Sequence, residues 1–136
     1  MNVYLDIDGV LLINESNVAP YADEFLQTVL AKYPNNTHWL TTHCWKGENR
    51  AVDKLSAYLA PKTVVLIKTI KPTEWDEWKT DAIDFSQPFL WFDDDLYPEE
   101  RAELIKHDVL DNRIEVDLNK DPNQLQKFIT SMPLPV

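Results

Sequence analysis

Five short apolar runs punctuate this chain, at 3–7, 37–41, 63–67, 88–92 and 113–116, and the segments between them carry apolar residues at helical spacing. Strands alternating with helices leave few architectures open. Each strand-to-strand connection must cross over through a helix, and the sheet that results is parallel, covered on both faces and built with right-handed crossovers. Phe25, Leu26, Val29 and Leu30 form the first helical stripe, with Pro20 suited to its first turn. Ala51, Val52, Leu55, Tyr58 and Leu59 form a second, ended by Pro61. Thr73-Glu74-Trp75-Asp76 reads as a capped helix start that carries Trp75 and Trp78 three apart. A further helix follows Pro98. The last opens on Asp121 as N-cap with Pro122 in its first turn and Gln124 as capping partner, and carries Leu125, Phe128, Ile129 and Met132 on one face.

At 136 residues the chain has the size of one domain, which we assign to residues 1–132, with 133–136 as a frayed tail. No run approaches the ~20 apolar residues of a membrane span, and no basic-apolar-small leader opens the chain. Together with a lone cysteine, Cys44, this leads us to expect a soluble cytoplasmic protein with no membrane partner. A net charge of −10 disfavours nonspecific attraction to nucleic acid, but does not exclude a phosphorylated substrate. The only two glycines, Gly9 and Gly47, cannot spell a P-loop or a dinucleotide fingerprint, so both nucleotide-binding readings fall.

The first run ends in Asp6-Ile7-Asp8-Gly9. Side chains two apart on a strand share a face, so two carboxylates sit together at a strand end, and the glycine lets the backbone turn sharply. Three further signals lie at or near later strand ends: Thr41-Thr42 after the second run, Lys79 ahead of the fourth, and Asp93-Asp94-Asp95 after it. Carboxyl ends of parallel strands are where such sheets build their sites. Asp95 reads as a turn or cap residue, and Trp39, Trp75, Trp78 and Trp91 as packing residues.

The order D-x-D-G-V, strand-end Thr, Lys, then strand-end Asp-Asp resembles the four motifs of the haloacid dehalogenase-like (HAD) hydrolase superfamily, most of whose members are phosphatases. The resemblance spans residues 3–95 and lies in the order and spacing of the four motifs together. It implies a doubly wound, three-layer Rossmann-like α/β domain with a five-stranded parallel sheet of order 5-4-1-2-3. It also implies a Mg²⁺-dependent phosphatase acting through an aspartyl-phosphate on Asp6. Asp8 would be the general acid and base, Thr41 a phosphoryl donor, and Lys79 the cation that stabilises the aspartates and the transferring group. Asp6, Asp94 and the Asp8 carbonyl would bind the metal, and Asp93 would hold a metal-bound water. Hard oxygen ligands suit Mg²⁺. Lys71, in Lys71-Pro72, is the alternative lysine.

Gly9, Thr42, His43 and Trp45 are further candidates for contact with substrate, the last three on the loop after the second strand. The intervals between motifs are filled by the core's own elements, leaving no room for a cap domain. An open site implies a bulky substrate such as a nucleic-acid end, nucleotide or phosphoprotein, or a partner that closes it. The alternative from another class is a catalytically weak phosphate- or partner-binding module on the same fold. A phospho-signalling receiver domain would carry its paired acids early and its phosphorylated aspartate later, the reverse of the order here. A cysteine phosphatase would need a glycine-rich cradle beside Cys44.

Overall fold

A computed structural model of the chain describes residues 1–133. Its centre is β1 (Asn2–Leu5), three of whose four residues are buried. β4 (Thr37–Trp39) pairs with one side of β1 and β5 (Phe89–Asp93) with the other, and β6 (Arg113–Glu115) pairs with β5, every pairing parallel. The order is β4-β1-β5-β6. Between β1 and β4 the chain first makes a small antiparallel hairpin, β2 (Leu12–Asn14) with β3 (Asn17–Val18), and then α1 (Ala22–Lys32). α2 (Ala51–Leu55) and α3 (Pro61–Ile67) lead to β5, α4 (Pro98–Lys106) connects β5 to β6, and α5 (Gln124–Ser131) closes the described chain.

Alternation along β1 sorts the interior into two clusters. Val3 and Leu5 pack with Phe25, Leu26 and Val29 of α1 and Leu125 of α5. Tyr4, between them, joins Trp91, Phe89 and Leu104 of α4 on the opposite face. Both faces of the sheet are therefore covered, as a parallel sheet requires.

The five-strand sheet and its order are corrected by α3. Residues 63–67 form a helix, so the sheet has four strands and lacks its expected edge member. The physical reason lies in Pro61, which occupies the first helical turn after an extended Ala60. Burial follows helical spacing: Thr63 and Ile67 are buried while Val65 between them is 62% exposed. In a strand these three would share a face. A single residue substitutes at the β4 edge: Lys71 donates its N–H to the Thr37 carbonyl at 3.1 Å and accepts from Trp39 N–H at 2.8 Å.

Other boundaries move for local reasons. α2 stops at Leu55, and a turn carries the chain to the buried Leu59. No α-helix starts at Thr73, because its hydroxyl donates to the Trp39 carbonyl at 2.6 Å; the first helical turn is a 3-10 segment, Lys79–Ala82. α4 begins at Pro98 as expected. α5 begins at Gln124, with Asn123 as N-cap, since the Gln124 side chain accepts from Asp117 N–H and donates to the Glu115 carbonyl. The Tyr33 hydroxyl donates to the Pro133 carbonyl, so the first residue of the expected frayed tail is tied down; residues 134–136 lie outside the described residues. No helix among the described residues is long and apolar enough to cross a membrane.

Candidate active site

β1 and β5 are neighbours, so the chain leaving each delivers its acids to one place. Asp6, Asp93 and Asp94 each offer a carboxylate oxygen within 4.8 Å of the others. Asp6 is nearly buried, and one of its oxygens accepts from Ile7 N–H at 2.8 Å. The Lys79 ammonium joins the two strand ends, 2.7 Å from Asp93 Oδ2 and 3.1 Å from Asp6 Oδ2. Asp93 is the anchor of this cluster: Oδ2 also accepts from the indole N–H of Trp91 at 3.2 Å, and Oδ1 from Asp95 N–H at 3.1 Å.

Electrostatics follow from that crowding. Burial, then the charge of Asp93, pushes the Asp6 carboxyl up to about 8 against the opposing pull of Lys79 and the Ile7 N–H. Asp94 is pushed up to about 6 by burial and by its neighbour Asp93. Burial opposes the charge on Lys79, but the carboxylates of Asp6 and Asp93 outweigh it and the lysine is held more basic than usual. Three clustered carboxylates facing one ammonium leave a negative surplus, and all the donors are hard oxygens. Asp6, Asp93 and Asp94 therefore fit a hard divalent cation.

Gly9 lets Asp94 approach. Its φ is +79°, in the left-handed region, and a Cβ there would lie 2.1 Å from Asp94 Oδ2. The Ile7 carbonyl accepts from Val10, Leu11 and Leu12, which winds the chain tightly after the acids. Asp8 stands apart from the buried cluster. Its carboxylate is 56% exposed and lies 2.9 Å from His43 Nε2, a hydrogen bond across 35 residues of sequence.

The remaining candidates divide. Thr41 is fully buried and its hydroxyl oxygen accepts from His43 N–H at 3.3 Å, whereas the exposed Thr42 lines the cleft. Trp45 is outside the cleft lining, but its ring lies 6.0 Å from that of Trp75, which is part of it. Lys71 is exposed on the β4 edge and does not line the cleft. The cleft itself has a volume of about 420 Å³, with Asp6, Asp8, Lys79 and Asp94 among its lining and aromatic walls of Trp75, Trp78 and Tyr97.

No family model, curated protein or solved structure matches this chain. Its residues alone carry the reading.

Two contributors escape the sequence reading. Trp91 is fully buried, as a packing residue would be, yet it also donates to Asp93. The i, i+2 spacing of Trp91 and Asp93 on one strand is the signal that could have found it. Glu100 is buried at the start of α4 and accepts from the backbone N–H of Lys79 at 2.9 Å and of Tyr97 at 3.0 Å. Burial raises its pKa, and the two N–H groups oppose the rise. Its position at N3 after Tyr97 was a cue for capping, not for fixing Lys79.

Proposed function

We propose that this protein is a Mg²⁺-dependent phosphatase of the HAD-like type, cleaving a phosphate monoester through a covalent intermediate on Asp6. The observation that carries the reading is the single ammonium of Lys79 held between Asp6 and Asp93 at the ends of adjacent parallel strands, with Asp94 beside them. A carboxylate nucleophile must meet an anionic phosphate, and that encounter needs fixed positive charge. Asp6 and Asp94, with the Asp8 carbonyl, would hold Mg²⁺. Asp93, whose oxygens already accept three protein hydrogen bonds, would act on the metal through water. Bound there, Mg²⁺ would neutralise charge on nucleophile and phosphate and keep Asp6 ionised.

In the first half-reaction an Asp6 oxygen bonds to phosphorus as the ester P–O bond breaks. The leaving oxygen takes the electron pair and a proton from Asp8. In the second, water gives its proton to Asp8 and its oxygen to phosphorus, the Asp6–phosphorus bond breaks, and phosphate departs. Asp8 is suited to this shuttle because it is exposed in the cleft and held by His43. Lys79 keeps Asp6 aimed and faces the transferring group. Thr42, in the cleft lining, would contact that group in place of Thr41, which is buried and would support the loop through His43 N–H.

Phosphate release from an activated aryl phosphate tests the reading. Release should require Mg²⁺, stop with EDTA and fall below about 10⁻³ of the wild-type rate in Asp6→Asn, which removes the nucleophile at nearly constant volume. Activity that survives in Asp6→Asn overturns the assignment of the nucleophile. Absence of release from folded wild-type protein with Mg²⁺ bound overturns the enzyme.

A further inference from the structure

The floor of the cleft and its walls ask for different chemistry. Trp75, Trp78 and Tyr97 line it, and Trp78 and Tyr97 form a tilted ring pair with centroids 5.8 Å apart. Trp45, outside the lining but with its ring 6.0 Å from that of Trp75, carries the Lys46 ammonium 4.7 Å from its ring centroid. Lys46 and Gly47 both have positive φ, and Glu48 N–H donates to the Trp45 carbonyl, so a tight turn presents this pair. Two of these aromatic side chains stay open to solvent: Trp45 is 41% exposed and Tyr97 53%. Aromatic surface collected at the walls of a charged cleft marks a place where a flat apolar group docks.

Charge narrows the ligand further. Seven carboxylates and one ammonium line the cleft. A bound divalent cation offsets part of this surplus at the strand ends and leaves Glu77 and Asp95 at the walls uncompensated. One phosphate is tolerated beside Lys79 and the metal, but a second phosphate or a nucleic-acid backbone meets like charge. The volume, about 420 Å³, matches a small-molecule site.

We infer that the substrate is a nucleoside monophosphate, its single phosphate at the Asp6–Lys79 floor and its base stacked on the Trp78–Tyr97 wall. This rests on the phosphatase reading for the identity of the floor, and of the nucleic-acid end, nucleotide or phosphoprotein that the sequence suggested it selects the nucleotide, in its compact monophosphate form. Base stacking on aromatic side chains is tolerant of base identity, so purine and pyrimidine monophosphates should both serve.

The experiment compares adenosine 5′-monophosphate with ribose 5-phosphate, which carries the same phosphate without the base, both with Mg²⁺. Turnover is measured on the wild type, and binding by titration calorimetry on the full-length Asp6→Asn protein, so the comparison does not depend on catalysis. Adenosine monophosphate should be favoured about tenfold or more in both measures. Tyr97→Ala should reduce that ratio several-fold through KM, and Tyr97→Phe should restore it. Adenosine diphosphate and a 5′-phosphorylated oligonucleotide should be poorer than the monophosphate. Equal handling of the two sugar phosphates in both measures overturns the inference, and so does preference for the oligonucleotide or for a phosphotyrosine peptide. Acetyl phosphate, which has no ring, separates the two readings. Asp6-dependent release from it keeps the phosphatase standing if the base preference fails, and its absence beside a retained binding preference sinks the phosphatase alone.

Discussion

Lys79 is the residue on which the site turns. Its ammonium is mostly shielded from solvent and ion-paired with two carboxylates, Asp6 and Asp93, themselves almost wholly buried. Removing one partner of a buried ionic cluster leaves the others uncompensated, a loss of about 3 kcal/mol or more. Lys79→Met should therefore lower the denaturation midpoint in EDTA and cut kcat by about 10²- to 10³-fold, the cost of deleting one fixed donor to a transition-state charge. Lys71→Met, on the sheet edge and away from the cleft, should do neither; denaturant titration and kinetics of the two variants side by side decide the matter. Gly9 gives a second prediction at this scale. Gly9→Ala adds about 1–2 kcal/mol of left-handed strain and drives a methyl into Asp94, so Mg²⁺ affinity should fall more than tenfold, measured by calorimetric titration. Asp6, Asp8, Gly9, Asp93 and Asp94 were legible as candidates because local spacing puts each at or near a strand end, whereas Lys79, in the 3-10 segment ahead of β5, was legible only through the family resemblance. Trp91 was not, because a buried tryptophan in a strand already has a sufficient explanation in packing, and its donor role depends on where Asp93 points.

At the level of elements, the sequence was clear where period and punctuation agreed and misleading where they conflicted. The four parallel strands, α1 and α5 follow apolar spacing and α4 follows Pro98, although α1 opens at Ala22, beyond Pro20, and α5 at Gln124, with Asn123 in place of Asp121 as N-cap. Residues 63–67 read as a strand because Thr63, Val64 and Val65 are β-branched, but the placement of Pro61 governs and the segment turns into α3. Thr73 failed for a different reason: its hydroxyl serves the end of β4, a long-range contact that no local pattern encodes. The same holds for Glu100, which ties the first turn of α4 to the backbone of the 3-10 segment bearing Lys79. Gln at this position offers one acceptor oxygen to two N–H groups and turns an amide donor toward the second. Glu100→Gln should thus destabilise the fold by about 1–3 kcal/mol and loosen Lys79. A drop in kcat with KM little changed, beside the lowered melting temperature, is the expected signature of a positioning role; a melting shift with intact kcat would leave Glu100 a cap and nothing more.

For the whole molecule, the clustered acids couple folding to their own protonation and would couple it to the proposed cation. The Asp6 carboxyl stands near 3.8 in the unfolded chain and about 8 in the fold, and Asp94 moves from the same value to about 6. Between those limits the folded protein binds more protons than the unfolded one, so metal-free stability is complete below about pH 4 for these groups and is lost as pH rises toward 8. Lys79, held more basic than usual, stays charged throughout that window and adds no slope of its own. A divalent cation on the same oxygens favours their ionised forms, reversing the trend, and at a concentration 100 times its Kd adds about 2.7 kcal/mol. Melting curves from pH 4 to 8 should accordingly fall with pH in EDTA more steeply for the wild type than for Asp6→Asn, which cannot ionise there. Added Mg²⁺ should raise the wild-type curve most at the alkaline end. If the wild type and Asp6→Asn kept the same slope in EDTA, the buried carboxylate would not carry the penalty assigned to it. If Mg²⁺ raised stability equally at pH 5 and pH 8, the cation would be binding somewhere other than Asp6.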